Sequence, residues 1–226
     1  MNIIQTWKSR ELPSHYIPFY ENLMKHKNNC NYLFFDDNDI VKFIQTKMPT
    51  YYDFFKNLQF KIQQIDFFRY LVIYYYGGLY LDLDVFIDSD LQDLQLYDCA
   101  FPIELKNIND TLLVNKNQNF LIGNYAFYAK PRHPFIKSII DHITNPKITI
   151  QDIELGCLNN NDPSEQVFVY YTTGPILVSY AYSNYADKNS ITLLQTEPFK
   201  DNCFGKYGSH KMYGSWKTSN IKDILS

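Results

Sequence analysis

Phe60–Tyr76, FKIQQIDFFRYLVIYYY, runs directly into Gly77-Gly78 and then Leu79-Tyr80-Leu81-Asp82-Leu83-Asp84-Val85-Phe86. Apolar residues occupy nearly every face of the first segment, the mark of a helix buried on most sides. Gly77-Gly78 ends it, because the residue past the last turn often takes a left-handed conformation that glycine adopts without penalty. Leu79 to Phe86 then predicts a strand with two carboxylates at its far end.

Working outward, residues 2–6 predict a short strand ending at Trp7, and Pro13-Ser14 opens a helix to about His26. Asn28-Asn29 breaks that helix, and Tyr32–Phe35 is a second strand. Asp36-Asp37 offers N-caps for a helix through about Thr46, and Pro49 begins another over Tyr51–Leu58. On the other side, Asn124–Ala129 and Ile191–Leu194 read as strands, Pro134–Ile143 and Pro175–Tyr185 as helices, and 107–119 as polar loop or edge. Strands alternating with helices place the chain in the α/β class. Its 226 residues suit one domain spanning 1–226, with no internal repeat or linker.

Composition removes several function classes. With 46% apolar and 20% charged residues the chain can build a core. A net charge of −3 argues against a phosphate-backbone binder, so nucleic acid is not an expected partner. No stretch approaches the roughly 18 uncharged apolar residues of a membrane span, and Met1–Trp7 lacks the basic and apolar regions of a signal peptide. Cys30, Cys99, Cys157 and Cys203 stand far apart, without C-x-x-C spacing, which predicts free thiols in a cytoplasmic setting. The abundance of Asn, Lys, Ile, Tyr and Phe points to an AT-rich genome, a large DNA virus or a low-GC bacterium; for a virus the location is the host cytoplasm.

Three groups of residues could carry chemistry. In a strand Asp82 and Asp84 face the same side, making half of a divalent-cation site that substrate phosphates would complete; a strand running into an acidic turn is the plain alternative. Asp66 and Arg69 lie three apart on one face of the buried helix, either an exposed pair or a partly buried pair aimed at something polar. Trp7, after the first strand, is a core residue or a platform for a nucleotide base. His210 and Trp216 lie near the C-terminus, where a single His is more often a surface or core residue than a ligand.

Ile3–Trp7, Asp66-Phe67-Phe68-Arg69-Tyr70 and Tyr76-Gly77-Gly78-Leu79-Tyr80-Leu81-Asp82-Leu83-Asp84-Val85 together resemble the D-x-D sugar-transferase region of glycosyltransferase family 32, the group of the yeast-type α-mannosyltransferases, and more distantly the glucosylating domains of the clostridial toxins. Further matches follow in order: Asn124, His133-Pro134-Phe135, Thr173-Gly174-Pro175, Leu193-Leu194 with Pro198-Phe199, and His210 with Gly214-Ser215-Trp216. The resemblance implies a single-domain GT-A architecture, a Rossmann-like mixed sheet flanked by helices. It implies transfer of a hexose-type sugar, with retention, from a UDP- or GDP-sugar to a glycan or protein hydroxyl.

Carried over residue by residue, Asp82 and Asp84 would handle Mn²⁺ (Mg²⁺ as substitute) and the donor's ribose and diphosphate, with His210 completing the metal site. Ser215 and Trp216 would touch the diphosphate. Trp7 would stack on the base, with Gln5 and Thr6 along the same edge. Asp66 and Arg69 would grip donor sugar hydroxyls, with Tyr80 and Asn124 flanking the sugar. The chain departs from its relatives at Ser209-His210-Lys211, where they often carry a second His or an acidic residue. Two rival readings remain: a haloacid-dehalogenase-type phosphatase, whose hydrophobic D-x-D usually ends the first strand, and a non-catalytic nucleotide-sugar-binding module.

Overall fold

The computed structural model describes residues 1–195 and 203–218. Its strands are β1 (Asn2–Thr6), β2 (Asn31–Phe35), β3 (Gly78–Leu81), β4 (Val85–Ile87), β5 (Cys99–Lys106), β6 (Phe120–Ile122), β7 (Ala126–Ala129), β8 (Thr192–Leu194) and β9 (Gly208–His210). Among the described residues, seven form one mixed sheet in the order β2-β1-β3-β7-β5-β6, with β8 on β5, while β4 and β9 pair separately. β1 is parallel to β2 and β3; β7 runs antiparallel to β3 and β5.

Parallel neighbours need crossovers. α1 (Ile17–His26) links β1 to β2, and α2 (Asp37–Lys47), α3 (Tyr52–Lys56) and α4 (Lys61–Tyr76) link β2 to β3. After β5 come α5 (Thr111–Val114), α6 (Pro134–Thr144), α7 (Ile150–Leu158), α8 (Ser164–Thr172), α9 (Pro175–Asn184) and α10 (Ser215–Thr218). The α/β class and the helix-flanked mixed sheet expected from the sequence are borne out.

Strand periodicity divides the core in two. Ile4, Tyr80, Phe101 and Phe127 face α2, α4, α6, α8 and α9, whose buried Ile40, Phe68, Ile139, Val167 and Val178 complete one cluster. Their chain neighbours Ile3, Leu79, Leu81, Ala100 and Tyr128 face the other side, with Leu23, Val85, Leu94 and Phe204. Both faces are covered, so the strands read as continuous apolar runs. α4 is buried without interruption from Asp66 to Ile73, so its two charges are enclosed with its apolar residues. It ends at Gly77 and Gly78, at φ +66° and +113°. A Cβ on Gly78 would lie 2.4 Å from the Asn2 carbonyl oxygen, so only glycine lets β3 pair against β1 there.

Two expectations need correction. The predicted strand over Leu79–Phe86 stops at Leu81, where the pairing of β3 with β7 ends at Leu81–Ala126. Asp82-Leu83-Asp84 is a turn: the Asp82 N–H bonds the Tyr125 carbonyl, and the Val85 N–H returns to the Asp82 carbonyl at 3.3 Å. The strand predicted from Asn124 starts at Ala126, leaving Asn124 and Tyr125 at the turn's edge. β5, α7 and α8 were outside the sequence prediction; Pro102 in mid-strand suppresses the strand signal of β5. Pro198-Phe199 lie outside the described residues.

Candidate active site

The carboxyl ends of β1 and β3 open into a cleft of about 890 Å³, the place where α/β sheets bind ligands and a volume that suits a cofactor-sized molecule. The Asp82–Asp84 turn forms its floor. The Gln5 side-chain amide donates to the Asp82 carbonyl at 3.3 Å, and the Tyr80 hydroxyl donates to Asp82 Oδ1 at 2.9 Å. Beyond the turn, β4 pairs with β9 so that Val85 lies opposite His210. That pairing delivers a histidine distant in sequence to Asp84, with Nε2 3.2 Å from Oδ1. The Tyr213 N–H donates to Asp84 Oδ2 at 2.8 Å.

One ligand atom each from Asp82, Asp84 and His210 lies within 4.8 Å of the others. Burial raises the Asp82 carboxyl pKa, opposed by the Arg69 charge. Burial pushes Asp84 the same way, but hydrogen bonding and charge from His210 prevail and its pKa falls. The His210 pKa is raised by the partnership with Asp84, against burial. Its ring stacks on Tyr125 at 4.2 Å, and its buried Nδ1 has no partner among the described residues. Two carboxylates on a fixed turn and an imidazole on β9 fit a divalent cation of the Mn²⁺ or Mg²⁺ kind.

Beside the floor lies a charged network that is nearly free of solvent. Asp66 and Arg69 are 3% and 4% exposed and paired at 3.1 Å, so this is no surface salt bridge. Asp66 also accepts from the Thr173 hydroxyl at 2.8 Å and the Asn124 amide at 3.2 Å. Arg69 donates to the Asn124 carbonyl at 2.7 Å, stands 3.6 Å from Asp82, and lies over the Tyr80 ring at 4.6 Å. Burial pushes the Asp66 carboxyl up to about 6, although Arg69, Thr173 and Asn124 all pull it down. Arg69 keeps its charge, held against burial by Asp82, Tyr80 and Asp66.

Trp7 lines one end of the cleft, edge-on to Tyr16 at 5.1 Å, and its neighbour Thr6 lines it too, 3.4 Å from the Tyr80 hydroxyl. Gln5, expected along the same edge, is 2% exposed and lies beneath it, its amide divided between the Asp82 carbonyl and the Tyr32 hydroxyl. Trp216 and Lys217 on α10 close the far side against Tyr170. The side chain of Ser215 lies outside the described residues. The structure therefore brings Thr6, Trp7, Asp66, Arg69, Tyr80, Asp82, Asp84, Asn124, His210 and Trp216 to one cleft. Sequence reasoning missed Tyr70, Thr173, Glu104 and Lys217 as parts of this site. Thr173 and Tyr70 had a signal, standing in the quoted Thr173-Gly174-Pro175 and Asp66-Phe67-Phe68-Arg69-Tyr70 stretches; Glu104 and Lys217 had none.

Comparison with known proteins agrees with this geometry. Residues 13–101 match the family described as "Glycosyltransferase sugar-binding region containing DXD motif". The chain is 26% identical over 80% of its length to inositol phosphoceramide mannosyltransferase 3 of Schizosaccharomyces pombe, covering 44% of that protein. It is 24% identical over 97% of its length to mannosyl phosphorylinositol ceramide synthase SUR1 of Saccharomyces cerevisiae, covering 52%. An uncharacterized glycosyltransferase, L373, of Acanthamoeba polyphaga mimivirus is 26% identical over 94% of the chain and 80% of that protein. The chain spans about half the length of the yeast relatives it matches. The resemblance read in the sequence is thus borne out: residues 13–101 match the DXD-containing sugar-binding region of the glycosyltransferases.

Proposed function

We propose that the chain transfers a hexose-type sugar from a UDP- or GDP-sugar to a hydroxyl of a glycan or protein acceptor, with retention at the anomeric carbon and dependence on a divalent cation. The observation that carries this reading is the convergence of Asp82, Asp84 and His210 on the cleft floor, beside the buried Asp66–Arg69–Asn124 network. These three residues would hold Mn²⁺, or Mg²⁺ in its place. When bound, the cation supplies positive charge where the departing nucleoside diphosphate gathers negative charge.

The chain's own residues do the rest. Trp7 offers a stacking face for the base, worth about 1–3 kcal/mol. Trp216 and Lys217 face the diphosphate from α10. Asp66 and Arg69, fixed by Thr173 and Asn124, bind donor hydroxyls rigidly, and Asp66 places negative charge near the anomeric carbon as it becomes oxocarbenium-like. The acceptor hydroxyl attacks from the face the diphosphate leaves, passing its proton to the departing oxygen. The thiols of Cys30, Cys99 and Cys157 form no disulfide, which supports a reducing cytoplasmic setting, and the mimivirus relative supports a viral source with action in the host cytoplasm.

Incubation with a panel of UDP- and GDP-sugars tests the reading. Release of nucleoside diphosphate and sugar should require Mn²⁺, proceed less well with Mg²⁺, and stop with chelator. Full activity in excess chelator contradicts the metal site. Release of inorganic phosphate from phosphomonoesters favours the phosphatase, and tight donor binding with no turnover favours a binding module.

A further inference from the structure

Glu104 on β5 lines the same cleft but takes no part in the Asp82–Asp84–His210 floor or the Asp66–Arg69 network. It is 9% exposed, and among the described residues no hydrogen bond or ion pair is made to its carboxylate. Ile103 pairs with Ile122 and Leu105 with Leu121, so Glu104 is the extra residue of a β-bulge, the irregularity that re-aims a side chain at the edge of a site. The space it enters is kept open by Gly123: a Cβ there would lie 3.0 Å from Glu104 Oε2 and 2.6 Å from the Tyr125 ring. Burial raises its pKa, against the charges of His210 and Lys217.

Position along the sheet says which ligand it meets. In the order β1-β3-β7-β5, Trp7 follows β1, Asp82 follows β3, Asn124 precedes β7, and Glu104 sits on β5. At about 4.8 Å per strand, the Glu104 backbone stands two strands, about 10 Å, beyond β3 and on the side away from Trp7. A donor with its base at Trp7 and its diphosphate at Asp82 and Asp84 puts its sugar beside Asp66, Arg69 and Asn124. The cleft beyond that sugar is where an acceptor enters. A carboxylate there accepts hydrogen bonds only, and hydroxyl groups supply the donors it lacks.

We propose that Glu104 is the acceptor-binding carboxylate, taking hydrogen bonds from the hydroxyls of a sugar or cyclic polyol. This inference rests on the transferase reading and narrows its acceptor to a polyhydroxylated ring.

The test uses the full chain saturated with Mn²⁺ and UDP or GDP, titrated with methyl α-mannoside, methyl α-glucoside, methyl β-galactoside and myo-inositol and followed by protein NMR. At least one of the four should bind and shift the Glu104 and Leu105 resonances. Glu104→Gln should weaken that binding about tenfold or more, the scale of a hydrogen bond to a charged group, with nucleotide affinity and melting temperature unchanged. The inference is overturned if none of the four binds the wild-type protein, if shifts fall only elsewhere in the chain, or if both forms bind equally. A parallel loss of nucleotide affinity overturns it too, because the residue then serves the donor. If the wild-type chain binds neither nucleotide with Mn²⁺, the transferase reading itself fails; nucleotide binding with polyols indifferent to Glu104 removes this inference alone.

Discussion

On the proposed function, Asp66 is a residue that gives up stability for activity. Its carboxyl titrates at about 6 in the folded chain, against 3.8 for an ordinary aspartate, because burial opposes its charge. A raised folded-state pKa means that the folded protein holds this proton more tightly than the unfolded chain does. The contribution is fully present below pH 3.8 and is lost as pH rises through 6. Melting followed from pH 7 to pH 5 should therefore show a stabilising component from this group that Asp66→Asn abolishes. Turnover should move the other way, falling below about pH 6 as the anion proposed to face the donor sugar is neutralised. At pH 7 Asp66→Asn should cut turnover about a hundredfold, roughly 3 kcal/mol of transition-state stabilisation, while sugar-free nucleoside diphosphate binds as before. An equal loss of nucleotide affinity would assign the residue to the fold or to the base site. The i, i+3 spacing was readable in the sequence, but it left an exposed pair and a partly buried pair both open. Thr173 and Asn124, which fix it, come from a helix start and a strand edge that no local pattern connects to α4.

At the scale of elements, the buried helix and its Gly-Gly stop were the most readable part of the chain, because eight consecutive buried positions leave no amphipathic stripe to confuse with a surface helix. The turn after β3 was misread for an equally physical reason. Leu81-Asp82-Leu83-Asp84-Val85 alternates as a strand does, and nothing local reveals that the partner strand β7 stops pairing at Ala126. The carboxylates converge all the same, through a turn held by Gln5, Tyr125 and Lys211 and not through the pleat. The pairing of β4 with β9 was invisible because Gly208-Ser209-His210 carries no strand signal; only the resemblance brought His210 into the site. Gly78→Ala probes this junction. A Cβ 2.4 Å from the Asn2 carbonyl on a backbone at φ +113° should destabilise the fold by more than about 2 kcal/mol in urea unfolding. A loss under 0.5 kcal/mol, the range of an ordinary surface change, would mean that the β1–β3 junction has slack.

For the whole molecule, the sheet orders the cleft from Trp7 through the floor of Asp82, Asp84 and His210 to Glu104, and residues from all along the chain contribute to one volume. The α/β class was readable from alternating elements. The strand order was not, since β7 lies between β3 and β5 only through long-range pairing. No helix among the described residues is long and apolar enough to cross a membrane. What the cleft does depends on whether Asp82, Asp84 and His210 hold a cation together with a diphosphate. The most direct measurement is calorimetric titration of UDP and GDP into the chain with Mn²⁺ and with chelator, repeated on Asp84→Asn after its melting temperature has been checked. One of the two nucleotides should bind with Mn²⁺, with that affinity lost in chelator and reduced at least about tenfold in a folded Asp84→Asn protein. Equal affinity with and without Mn²⁺, or an undiminished affinity in Asp84→Asn, would contradict the metal-and-diphosphate site on which the transferase reading stands.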